Sequence, residues 1–101
     1  MSIFGHFKIK VKTPNGEIES DLNLEGHDHH LEGTQSAQGE TVPIDHGEVD
    51  GDHFSFTSEV THPAHMTLKF DGHCDDSHCD IISGKVHAGD LGDFEFEGRR
   101  A

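Results

Sequence analysis

Two stretches of this chain gather side chains that can hold a metal ion: His27-Asp28-His29-His30 and His73-Cys74-Asp75-Asp76-Ser77-His78-Cys79-Asp80. They belong to a set of eleven histidines in 101 residues. Neutral imidazole is the commonest metal ligand in proteins. Two thiolates and two imidazoles in one loop suit Zn2+ or a similar borderline ion, with bonds of about 2.3 Å to sulfur and about 2.0–2.1 Å to nitrogen. The spacing is not that of a zinc finger, so a disulfide between Cys74 and Cys79 stands beside the metal reading. No Ser-His-Asp order, nucleophile elbow or phosphate-binding loop is present.

The elements that must position these side chains are strands. Phe7 to Lys12 alternate apolar and charged, the period-2 mark of a half-buried strand. The same alternation runs through Ile18 to Leu24, Phe54 to Val60, Met66 to Phe70, Ile82 to Val86 and Phe94 to Phe96. Two weaker strands fit between, Leu31 to Ala37 and Thr41 to about Val49. Turns at Pro14-Asn15-Gly16, Asp50-Gly51, His62-Pro63-Ala64 and Ala88-Gly89-Asp90 separate them at short intervals. Eight short strands joined by short loops predict an all-β, eight-stranded antiparallel up-and-down barrel, one domain over residues 1–101, because closure removes exposed edges. A two-sheet sandwich is the alternative.

Hairpin arithmetic then assigns partners. The second strand turns inward at even positions and the third at odd ones. A two-residue turn at Asp28-His29 therefore sets His27 opposite His30, both outward. Opposed residues have Cβ atoms about 4.5–5.5 Å apart, close enough for two imidazoles to share an ion. A turn at His62-Pro63-Ala64 sets His53 opposite His73, and one at Asp50-Gly51 sets Glu48 on the other side of His53. The candidate metal ligands are thus His27, His29, His30, Glu48, His53, His73, Cys74, His78 and Cys79, most of them at one barrel end together with His6 and His46. A weaker second cluster, His65 and His87, is predicted as diagonal neighbours at the other end, which also holds His62. Any one exposed histidine read alone is a solvated polar residue.

Charge narrows the partners. Twenty Asp and Glu against seven Lys and Arg give a net charge of −13 with histidine neutral. Such a surface repels phosphate backbones and anionic membranes and attracts cations. No nucleic-acid or membrane partner is expected. No apolar run reaches the length of a membrane span. The first residues, Met1-Ser2-Ile3-Phe4-Gly5, lack the basic and apolar regions of a signal peptide, so the expected location is the cytoplasm.

The pattern Val11-Lys12-Thr13-Pro14-Asn15-Gly16, then Leu31-Glu32-Gly33-Thr34, Gly47-Glu48-Val49-Asp50-Gly51-Asp52, Met66-Thr67-Leu68-Lys69-Phe70 and Ile82-Ser83-Gly84-Lys85-Val86 resembles a group of small bacterial lipocalin-like, or calycin-like, barrel domains. The resemblance covers nearly the whole chain. It implies the barrel fold and a periplasmic or secreted setting for natural relatives; it is nearly silent on function and carries over no catalytic residues. The histidine-rich turn and the long His-Cys loop depart from that pattern and read as metal-binding side chains engineered onto a stable barrel.

Three functions compete. The first is a metal-binding scaffold for Zn2+, or Cu2+, Ni2+ or Co2+, whose ions can also bridge copies into a homo-oligomer. The second is a lipocalin-like binder of a small hydrophobic ligand, with incidental histidines. Small inward residues such as Ser20, Ser58 and Gly84 leave space for one, while Phe7, Phe54, Phe56, Phe70, Phe94 and Phe96 can fill it. The third is a weak metal-dependent hydrolase built on the row Glu48, His53, His73.

Overall fold

Alternation lets each strand bury one face, and eight such strands close on themselves here. The computed structural model describes residues 3–14, 16–37, 39–61 and 65–101. Its strands are β1 (Gly5–Thr13), β2 (Gly16–His27), β3 (His30–Ala37), β4 (Glu40–Asp50), β5 (His53–Val60), β6 (Met66–Cys74), β7 (Ile81–His87) and β8 (Asp93–Arg100), with a 3-10 turn at Gly89–Leu91 before β8. Each strand pairs antiparallel with the next in sequence, and β1 pairs with β8 to shut the ring. The fold is the predicted eight-stranded up-and-down barrel. The turn expected at His62-Pro63-Ala64 lies outside the described residues.

The interior is packed unevenly along the barrel axis. Phe56 stacks on Phe70 with ring centroids 4.7 Å apart, and Phe96 meets the Phe70 ring at 5.5 Å. Phe54 lies against Phe56 and Phe96, and Phe7 is fully buried. Gly72 makes room for these rings: a Cβ there would fall 2.7 Å from Phe54 and 2.9 Å from Phe96. One half of the barrel is therefore filled with aromatic carbon.

Arg100 stops that end. Its guanidinium donates to the carbonyl oxygens of Phe4 (2.7 Å) and Cys79 (2.9 Å) and to the Asp80 carboxylate (3.2 Å). It also lies 4.6 Å above the Phe7 ring centroid, where a cation is attracted by the ring quadrupole. Cys74 and Cys79 are joined in a disulfide beside it, with Cys79 fully buried. The two sulfurs therefore offer no thiolate, and the alternative of Cys74 and Cys79 as metal ligands gives way to the cross-link.

Two connections differ from the expected turns. The β4–β5 turn is centred on Gly51-Asp52 rather than Asp50-Gly51, and Asp50 pairs with His53. Gly51 has φ +63° while Asp50 is not left-handed, which fits a turn with glycine at its first central position. A register shift between Asp45 and Glu48, with His46 at φ +54°, places an extra residue in β4. Between β6 and β7 the chain runs from Asp75 to Asp80 as a six-residue loop, which keeps Ile82 and Val86 inward.

Asp76 organises that loop. One of its carboxylate oxygens accepts the backbone N–H groups of Asp80 (2.9 Å) and Ile81 (3.0 Å). The Ile81 hydrogen bond, foremost, holds its pKa below the ordinary 3.8, against the opposing effect of desolvation. A depressed carboxylate contributes stability that is whole above its unfolded value and is lost as pH falls through its lower folded value. Asp76→Asn is therefore expected to lower the urea midpoint by a constant amount at pH above about 5, with the gap closing below about pH 4. Urea melts of both proteins across that range check it, and a gap that persists unchanged at the lowest pH refutes it.

Candidate functional site

The half of the barrel away from Arg100 is open. Its mouth is ringed by the β1–β2, β3–β4 and β7–β8 connections, and below it lies a cavity of about 540 Å3. Pockets for small molecules span about 300–1,000 Å3. The walls are Val11, Ile18, Val42, Val60, Leu68 and Phe94, and the floor is Phe70 with Ser20 and Gln35 at its polar side. Leu91, the most exposed large apolar residue among those described at 64%, sits at the rim on the 3-10 turn. The cup exists because most of the large aromatics lie elsewhere. The inward positions on this side carry chiefly Val, Ile, Leu and Ala, with Met66 and Phe94 among them, too small together to fill the width of an eight-stranded barrel.

The cup's polar groups are few and fixed. Ser58 donates to the Gln35 side-chain oxygen at 2.5 Å, and Ser20 donates to the Ser36 carbonyl at 2.9 Å. At the rim Glu40 accepts both the backbone N–H (3.0 Å) and the hydroxyl (2.5 Å) of Thr61, tying the start of β4 to the end of β5. Among the described residues, the charged side chains lining the cup are Glu17 and Glu40, and no lysine, arginine or histidine faces it.

The histidine side chains that the structure describes lie outside. The register sets His53 opposite His73 and His27 opposite His30, as the hairpin arithmetic gives. The His53 and His73 ring centroids are 5.8 Å apart. His30 lies opposite Glu48 on the other side, but Glu48 faces Ser55 rather than His53 across β5. The predicted row Glu48, His53, His73 is not formed, because the turn is centred one residue later than expected, which moves the partner of Glu48 two positions along β5. The hydrolase built on that row loses its third ligand. His29 donates from Nδ1 to the Val49 carbonyl oxygen at 3.2 Å. His78 is exposed on the β6–β7 loop.

His65 and His87 are not neighbours. His87 opposes Lys69 on β6, four residues on from His65, which precedes the strand, and its Nδ1 meets the Asp93 carboxylate at 2.5 Å. Among the described residues, no group of three or more His, Cys, Asp or Glu side chains converges to hold a metal ion.

Sequence reasoning missed the cup's polar members, Gln35 and Glu40, and the aspartates beside the outer histidines. Gln35 carried a signal, since it occupies an inward position of β3 between Leu31 and Ala37. Asp52 and Asp75 also carried one, by adjacency to His53 and near-adjacency to His73.

No family model, curated protein or solved structure matches this chain.

Proposed function

We propose that this protein binds a small, largely apolar molecule, uncharged or cationic, in the open end of its barrel. The observation that carries this reading is the cup itself: an apolar-walled cavity of about 540 Å3 with a few polar groups at one side of its floor. Apolar walls supply affinity by removing ligand surface from water, and sparse polar groups fix orientation. The amide of Gln35 is placed to meet one hydrogen-bonding group on the ligand. Glu17 and Glu40 at the cup, within a net charge of −13, disfavour carboxylates such as fatty acids.

The likeness to small bacterial lipocalin-like domains supports the same reading. So does the placement of the histidine-rich turn and loop at the closed end, as expected of side chains added to a barrel whose interior is kept. The Cys74–Cys79 cross-link suits an oxidising compartment, so the proposed setting is periplasmic or extracellular.

Two dyes that differ by one charge test this. The chain has no Trp and no Tyr, so dye fluorescence is read against a dark background. Uncharged N-phenylnaphthylamine is expected to bind one per chain, and its sulfonated analogue about tenfold more weakly or worse. Val42→Trp, which pushes a ring from the wall into the cup, is expected to weaken the uncharged dye at least about tenfold with the fold intact. Equal binding of both dyes, or binding indifferent to Val42→Trp, refutes the reading.

A further inference from the structure

We propose that His53 and His73 form a two-imidazole chelate for a divalent transition-metal ion, such as Zn2+ or Cu2+, on the outer wall of the closed end. Water fills the remaining positions on the ion. The site is independent of the cup.

Three observations carry it. First, the two histidines are direct cross-strand partners, with ring centroids 5.8 Å apart. Two imidazoles sharing one ion have centroids about 5–6 Å apart, because the ion stands about 2.0–2.1 Å from each nitrogen. Second, each ring is backed by a carboxylate on one nitrogen only. His53 Nδ1 meets Asp52 at 3.0 Å, and His73 Nε2 meets Asp75 at 2.9 Å. That leaves Nε2 of His53 and Nδ1 of His73 as the nitrogens with a lone pair to give. A carboxylate on the far nitrogen fixes the tautomer and raises the basicity of the ligating one.

Third, the backing is itself anchored. The Asp75 oxygen that meets His73 also accepts the Ser83 hydroxyl at 3.0 Å, and Ser83 is the β7 partner of His73. Asp50 stands opposite His53 on β4 and adds negative charge to the neighbourhood. Among the described residues, the other carboxylate-backed histidines, His6 with Asp21 and His87 with Asp93, have no second histidine as a strand partner. Both rings are open to solvent, the side chains being 70% and 46% exposed. An ion can therefore reach them, and substitutions there leave the core untouched.

Eleven histidines demand a residue-resolved readout. Zinc is titrated into disulfide-intact protein while the imidazole nitrogens are followed by long-range 1H–15N spectra. The His53 Nε2 and His73 Nδ1 signals are expected to shift together, with one zinc dependence, before those of the other histidines. His73→Asn is expected to weaken zinc at His53 by more than about tenfold, Asp75→Asn by about 10- to 100-fold, and His87→Asn not at all. The proposal is overturned if the two rings follow different zinc dependences, if other histidines respond first, or if His53 is indifferent to His73→Asn.

Discussion

Phe70→Ala is expected to cost about 3–5 kcal/mol, the usual range for deleting a fully buried phenylalanine ring. Phe70 has no exposed surface and contacts two other rings, Phe56 at 4.7 Å and Phe96 at 5.5 Å. It is also the floor of the cup. Its loss removes the partition between the packed and the open half, so surrounding side chains have an existing void beside them and little reason to collapse inward. Domains of this size are stable by about 5–15 kcal/mol, so the variant stands near the edge of folding. The melting temperature should fall by about 12–40 °C. Phe94→Ala is the comparison. That ring is half-buried and lines the cup wall, so its loss should cost distinctly less. Thermal melts by circular dichroism decide it, and equal losses for the two variants would show that the aromatic stack does not organise the core.

The same stack explains what the sequence could and could not reveal. Each strand's apolar face is unambiguous, and a slip of one residue would turn that face to solvent. Burial of Phe54, Phe56 and Ser58 against Phe70 and Gly72 thus forces the β5–β6 register, and with it the His53–His73 pairing. Glu48 was not legible in the same way. Asp50-Gly51 and Gly51-Asp52 are both good turn pairs, and the choice between them rests on the backbone angle of a single glycine. The bulge at His46, beyond Glu48 from the turn, adds a residue that no alternation announces and shifts the pairing of Asp45 and Ile44 instead.

The cup was hidden for a different reason. Alternation tells which residues point inward but not how high each sits along the barrel axis, since height depends on the stagger between strands. Six inward phenylalanines suggested a filled interior. Phe54, Phe56, Phe70 and Phe96 instead stack on one another, Phe7 is buried under Arg100, and Phe94 lines the cup wall above Phe70. The histidine clusters had the opposite character: which strand ends share a barrel end follows from an up-and-down order, but convergence on an ion needs side-chain geometry. Among the described residues that geometry brings together a pair, not a triad.

Gly33→Ala should be more damaging than any removal of surface side chains, and the reason is backbone rather than packing. Gly33 has φ +144°, a conformation that side chains rarely adopt, and a Cβ there would fall 1.8 Å from the Asn23 carbonyl oxygen and 2.8 Å from its carbon. The obstacle is β2 backbone, held in ladders to both β1 and β3, so it cannot step aside without breaking the sheet. Gly33 also lies within the register shift between β3 and β4 and two residues before Gln35, so any yielding distorts the cup floor. Unfavourable backbone angles alone cost about 1–3 kcal/mol. Gly39→Ala isolates that part, because Gly39 has φ +81° with nothing within 4 Å of the added Cβ. The expected order of urea midpoints is wild type, then Gly39→Ala modestly lower, then Gly33→Ala far lower or unfolded outright. If the two variants fall together, angle strain is the whole effect, and the close approach of β3 to β2 at Gly33 is not what holds the barrel corner.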